Sequence, residues 1–247
     1  FKIDPDVLIS DKDFAKMMTD LGYVQELGEG AFANIQARFN YRVYIEDMSL
    51  DDILMNFHSK TRYNVRLAGR RGVEVKSVGK EGMDDFMELM RITGERDDFS
   101  IRSRVYFENM MDSLGEHIRM YIAYYEGEAI AGSIATNYAG KTYYLYGCSS
   151  NEHRNTMSTY LLQWEMIRWA QETGCTIYDL QGVSGNYKDE DDPLYGLFRF
   201  KDGFGGQVDE LVGEFNYTYK PFMEKVVNKA IDANEWLRGV RRKMSRD

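Results

Sequence analysis

The feature that most restricts the fold is a run of period-two alternation between Ile118 and Cys148. From Met120, MYIAYYEGEAIAGSIATNYAGKTYYLYGC alternates in strand fashion and is broken at Glu126-Gly127 and Ala139-Gly140. Two-residue turns of this kind predict three consecutive antiparallel strands. A meander of this length needs helices or a second sheet to cover it, and the flanking sequence supplies helices.

Ser49 to Arg71 predicts one long helix capped by Ser49, with Ile53, Leu54, Phe57, Tyr63, Val65 and Leu67 apolar. Met83 to Gly94 and Val105 to Leu114 predict two more. Asn155 to Thr173 predicts another, its apolar face turned inward and Arg168 outward. Short strands are expected at Val73 to Val78 and Thr176 to Leu180, and a longer one from Val208 to Tyr217. Upstream, Ser10 to Leu21 reads as a helix capped by Ser10 and stopped by Gly22, and Ala37 to Glu46 as a strand. Pro221 to Met244 reads as a terminal helix with a basic end. The chain opens at Phe1, and FKIDPDV reads as the end of a strand, so a preceding segment is expected.

Composition narrows the function. With 247 residues the chain is long enough to bury a large core without staples. Its two cysteines, Cys148 and Cys175, lack metal-ligand spacing, and His58, His117 and His153 are scattered, so neither a disulfide framework nor a metal site is expected. A net charge of -9 argues against a generally nucleic-acid-binding surface. No run approaches a membrane span and there is no signal-peptide pattern, so the expectation is a cytoplasmic protein.

Several residues stand out against this background. Lys201 lies in YGLFRFKDGFGG, read here as an aromatic strand followed by a glycine turn whose backbone can approach a ligand. Arg102 and Tyr106 are four apart and share a helix face if the helix starts that early, with Arg104 as rival. An arginine fork with a phenol suits a diphosphate. Tyr144 and Tyr146 share one face of a regular strand. Asp4 precedes Pro5, where a turn role competes with an acid–base one. Arg62, Arg66 and Arg70, beside Lys60 and Arg71, form a stripe that fits RNA phosphates or, equally, a solvated face. Arg238, Arg241, Arg242 and Lys243 offer a second basic cluster. There is no Ser/His/Asp or Cys/His constellation.

In order and spacing, HSKTRYNVRLAGRRGVEV, RSRVYFENMM, YYLYGCSS and YGLFRFKDGFGG resemble the Fem family of peptidoglycan aminoacyltransferases, over Asp4 to about Tyr219. The resemblance implies an α/β fold of two GNAT-like domains, the first incomplete at its N-terminus. Residues 42–212 would form the second domain, and 1–41 with 213–247 the remainder of the first. No heptad run is present, so no long helical arm is expected. It further implies Phe200 and Lys201 at the acyl-transfer centre with Asp4 near the acceptor amine. Arg102, Tyr106 and Tyr146 would contact the precursor. The implied partners are aminoacyl-tRNA as co-substrate, with no other cofactor, and UDP-MurNAc-pentapeptide or a lipid-linked precursor, the latter bringing peripheral membrane contact.

Two rivals remain. An acetyl-CoA-dependent GNAT enzyme would need a glycine-containing pyrophosphate loop, and the corresponding CSSNEHRNTMSTYLL has no glycine. A binding module that keeps the fold without the reaction is the other.

Overall fold

The computed structural model describes residues 1–28 and 35–223, together with 226, 227, 229, 230 and 233. The basic cluster Arg238 to Lys243 and most of the expected terminal helix lie outside the described residues. The chain divides into two compact units, residues 1–38 with 211–247, and residues 39–210. The divisions at 41/42 and 212/213 expected from sequence therefore shift to 38/39 and 210/211.

In the first unit β1 (Lys2–Ile3), α1 (Lys12–Asp20) and β2 (Val24–Glu26) come from the start of the chain, and a further strand, Glu214–Asn216, from its later part. That strand lies between β1 and β2, antiparallel to both. Asp11 caps α1, its carboxylate accepting from Phe14 N at 2.9 Å, in place of the expected Ser10. Met18, Val212 and Phe215 form the buried centre.

The second unit follows with β3 (Phe39–Tyr44), α2 (Leu50–Asn56), α3 (Ser59–Arg70), β4 (Glu74–Val78), α4 (Met83–Asp97) and α5 (Arg104–Leu114). The expected meander comes next as β5 (Ile118–Tyr125), β6 (Glu128–Tyr138) and β7 (Lys141–Ser149). Then come α6 (Ser158–Glu172), β8 (Ile177–Gly182), α7 (Tyr195–Asp202) and β9 (Gln207–Glu210); the first unit's remaining strand is β10. Seven strands pair in the order β4-β5-β6-β7-β8-β3-β9, with β7 and β8 parallel and every other neighbour antiparallel.

Both faces of this sheet are buried, which is why β5 and β6 are apolar at almost every position. Tyr121, Ala123, Ala131 and Ala135 face one core with α3 and α6 residues including Val65, Met166 and Trp169. Met120, Ile122 and Ile134 face the other with Phe86, Leu89 and Phe107 from α4 and α5. Small alanines on the first face leave room for the large α6 side chains. Arg168 does turn outward, pairing with Glu165 and Glu172.

Four expectations change. The long helix Ser49 to Arg71 is two helices, because Phe57 is extended (φ -64°, ψ 151°) and buried against Trp164 and Phe204. There His58 N donates to Gly203 O at 2.9 Å, an exchange that no continuous helix allows. The aromatic stretch before Asp202 is the helix α7, whose N-cap Leu194 makes no side-chain cap; Asp192 holds the turn ahead of it, its carboxylate accepting from Leu194 N at 2.7 Å. Tertiary packing overrides its strand propensity. The strand expected from Val208 to Tyr217 is broken into β9 and β10 by Gly213 (φ 77°), where an added Cβ would strike the Glu26 carbonyl oxygen.

The fourth change is in β7. Ala135 pairs with Tyr144 and Ile134 with Tyr146, leaving Leu145 as a bulge. The bulge moves Tyr146 to the opposite face from Tyr144. Tyr144 packs with the α3/α6 core and Tyr146 with the α4/α5 core. The two tyrosines expected to share a face do not.

Candidate active site

α7 delivers Phe200 and Lys201 to different surroundings. Lys201 is only 4% exposed. Its Nζ donates to the carbonyl oxygens of Gly182 at 2.7 Å and Gln181 at 3.2 Å, at the end of β8. Burial pulls its pKa from 10.5 down to about 7, with Asp179 acting in the opposite direction. Phe200 is half-buried against Tyr160 and Phe204, ring centroids 5.0 and 5.4 Å away.

The glycines after Lys201 serve the protein itself. A Cβ at Gly203 would meet Thr61, at Gly205 the Asn56 carbonyl oxygen and at Gly206 that of Arg42. Their close approach is to the α2–α3 junction and β3, and it fixes the end of α7; the expected approach to a ligand is not what these positions provide.

The carbonyls that hold Lys201 are themselves fixed by residues that sequence reasoning missed. Gln181 has φ 65°, a left-handed conformation that is costly for a non-glycine residue. Its N–H donates to Asp179 Oδ1 at 2.7 Å. Asp179 Oδ2 accepts from Arg42 Nε at 2.8 Å, and Arg42 Nη1 stands 3.5 Å from Asp209. Arg42, Asp179 and Asp209 are all buried. The available signal was an arginine inside the aromatic strand FNYRVY, since such a charge is buried only when paired.

A second cluster forms at the start of α5. Ser103 caps that helix, its hydroxyl accepting from Tyr106 N, so Arg102 lies just ahead of the helix rather than on its face. Its guanidinium still reaches the Tyr106 ring, 5.4 Å from the centroid. Tyr106 and Tyr146 hydroxyls are 3.1 Å apart. Burial, then the Tyr106 hydroxyl, push Tyr146 up to about 12, while Arg102 acts to lower it. The three residues thus come together from two distant stretches of chain. Arg104 is engaged instead with Asp84 and, at 2.6 Å, Glu108. Exposed arginine next to two phenols is a donor set for an anionic, oxygen-rich ligand.

Asp4 belongs to the first unit. Its carboxylate accepts from Gln36 N at 2.8 Å, and its pKa is raised by burial. In α3, Arg62 closes the end of α2 by donating to the carbonyls of Met55, at 2.8 Å, and Phe57. Arg70 lies over Tyr63, and Lys60 and Arg66 are exposed. Cys148 and Cys175 are buried thiols. Among the described residues no three or more His, Cys, Asp or Glu side chains are grouped to hold a metal ion, and no helix is long and apolar enough to cross a membrane.

The lipid II:glycine glycyltransferase of Staphylococcus epidermidis is 30% identical, the match covering 92% of this chain and 70% of that protein. The lipid II:glycine glycyltransferase of Staphylococcus aureus is 31% identical, covering 87% and 68% respectively. The first alignment runs over 295 residues, more than the 247 present here, so that relative carries inserted residues this chain lacks. The crystal structure of FemX superposes with a TM-score of 0.83 at 27% identity, covering 92% of this chain and 74% of FemX. The FemAB family model matches residues 7–128 and 125–231, and the chain belongs to the FemAB family.

Proposed function

We propose that this protein is an aminoacyltransferase that moves an amino acid from aminoacyl-tRNA onto the stem peptide of a peptidoglycan precursor, in the cytoplasm. The observation that carries the reading is the gathering of Arg102, Tyr106 and Tyr146 into one anion-binding cluster in the same unit as a buried, unusually acidic Lys201. The names of the glycyltransferase relatives favour the lipid-linked precursor as acceptor, and glycine as the first amino acid to try.

The chemistry is aminolysis of an ester. The stem-peptide amine, as the free base, attacks the aminoacyl carbonyl; the tetrahedral oxyanion collapses and expels the tRNA ribose oxygen, which takes up a proton. The enzyme's task is to align the two substrates and stabilise the oxyanion. Lys201 has a third N–H with no partner among the described residues, the group proposed to meet the developing charge. Arg102 and the Tyr106–Tyr146 pair are proposed to hold the diphosphate of the precursor, and Phe200 the acceptor end of the donor. Asp4 is proposed to hold the incoming ammonium or take its proton. Arg66 and Arg70 are proposed to meet tRNA phosphates, with Arg62 bracing the helix that carries them.

The test is to incubate the protein with charged tRNAs and either the lipid-linked precursor or UDP-MurNAc-pentapeptide, then weigh the products. A gain of one amino-acid residue, greatly reduced in Lys201→Ala, is the expected result. If both precursors stay unmodified, the transferase reading fails and a precursor-binding role replaces it. Acetylation from acetyl-CoA in place of aminoacylation would establish the rival reaction.

A further inference from the structure

Gln181 holds a position that the backbone alone would give to glycine. In the β3–β8 ladder Asn40 pairs with Gly182 and Arg42 with Asp179, so Tyr41 stands opposite two residues, Leu180 and Gln181. The extra residue makes a bulge, and Gln181 sits in it with φ 65°, in the left-handed region. Bulges that need this conformation usually carry glycine, which adopts it without steric cost. Here a local bond offsets the cost: Gln181 N donates to Asp179 Oδ1 at 2.7 Å, two residues back. Asp179 is 1% exposed and accepts in turn from Arg42 Nε at 2.8 Å. The Gln181 backbone is thus fully engaged, its N–H on Asp179 and its carbonyl oxygen on Lys201 Nζ at 3.2 Å. Its side-chain carboxamide, on a half-buried residue, has no hydrogen bond among the described residues. The fold therefore keeps a large polar side chain where a smaller residue would be easier, and leaves it unused. Outliers of this kind cluster at functional sites.

We infer that the Gln181 carboxamide binds a peptide group of the acceptor's stem peptide beside Lys201, an inference that rests on the stem peptide being the acceptor. A carboxamide offers an acceptor oxygen and two N–H donors, the complement of a peptide N–H and C=O. A phosphate or carboxylate would call for a cation at this place, and an ammonium for a carboxylate. One residue then carries both tasks: its backbone carbonyl fixes Lys201, and its side chain fixes the peptide that brings the amine. Lys201 and the acceptor are set in a single register by the bulge. Asp179 is the positioning residue for both, since it holds the bulge from a buried place.

The experiment measures transfer kinetics, with the precursor and aminoacyl-tRNA varied in turn, and the unfolding midpoint, for the wild type, Gln181→Gly and Gln181→Ala. Glycine takes φ 65° freely, so Gln181→Gly is expected to unfold at or above the wild-type midpoint. Its KM for the precursor is expected to rise about tenfold, as for the loss of one hydrogen bond, with KM for aminoacyl-tRNA unchanged. Gln181→Ala loses the amide and keeps the strain, so the same KM is expected at a lower midpoint than that of Gln181→Gly. Activity then follows the amide while stability follows the backbone. A midpoint for Gln181→Gly below the wild type makes the side chain a structural one and overturns the inference. An unchanged KM for the precursor also overturns it, as does a rise confined to aminoacyl-tRNA, which assigns the amide to the donor. With a wild type that transfers, these outcomes remove the Gln181 assignment alone. A wild type that transfers to neither the lipid-linked precursor nor UDP-MurNAc-pentapeptide overturns the transferase reading and this inference with it.

Discussion

Lys201 and Arg102 are both cations proposed to meet substrate, yet their settings are opposite. Lys201 is sealed between α7 and the end of β8, with carbonyl oxygens as its hydrogen-bond partners and its nearest named carboxylate, Asp179, bonded to Arg42 and Gln181. Arg102 lies on the surface ahead of α5, beside Tyr106, which is 41% exposed. A buried lysine held by neutral groups is easily deprotonated and is fixed in place; a surface arginine stays charged and yields to its ligand. The first setting suits a group that acts on a transition state, the second one that captures substrate.

The largest effect that sharpens this contrast is expected from Lys201→Ala, a fall in kcat of about a hundredfold or more, read from single-turnover transfer. A comparable rise in KM with kcat unchanged would break the contrast and make Lys201 a binding residue. Next comes a pH test on stability. The folded chain releases the Lys201 proton near pH 7 and the unfolded chain near 10.5, so between these values the unfolded state binds more protons. Wild-type stability from this group therefore rises with pH across that window, by at most about 1.4 kcal/mol per pH unit. Below pH 7 the full cost of burying the cation is present. Lys201→Met is expected to lose this pH dependence in chemical denaturation, and an unchanged profile would show that the lysine is solvated.

For Arg102→Ala the expectation is a rise of about tenfold in KM for the precursor with little change in kcat. A loss confined to kcat would place Arg102 with Lys201 and erase the distinction. Arg104→Ala is expected to have the smallest effect, within about twofold on either constant, since that side chain is engaged with Asp84 and Glu108. A large KM effect there would move the precursor site along α5.

How much of this was legible in the sequence differs between the same two regions. The Arg102–Tyr106 pair could be read from local spacing; because Ser103 takes the cap, α5 does not start early enough to put Arg102 on its face, the condition attached to that reading. Lys201 was found by motif, but its setting was misread. FRFKD has strand-like composition, and the features that make it helical, the Asp192 turn ahead of it and the packing of Phe198 on Tyr41 and Tyr187, include contacts with residues distant in sequence. The charges beneath it, Arg42, Asp179 and Asp209, come from three strands that only the fold brings together. Likewise the meander was plain in its alternation, whereas a bulge leaves no mark in a pattern where tyrosines occupy both faces.

That bulge at Leu145 sets a reading frame for the site. Upstream of it, even-numbered residues of β7 face α6; downstream, even-numbered residues face α4 and α5. Pairing Leu145 as an ordinary strand residue, with no bulge, would exchange the destinations of every side chain beyond it. Tyr146 would leave Tyr106, and Cys148 would leave its place beside Phe86. An alignment that slips by one position at Leu145 therefore compares residues from opposite sides of the sheet, however similar their letters.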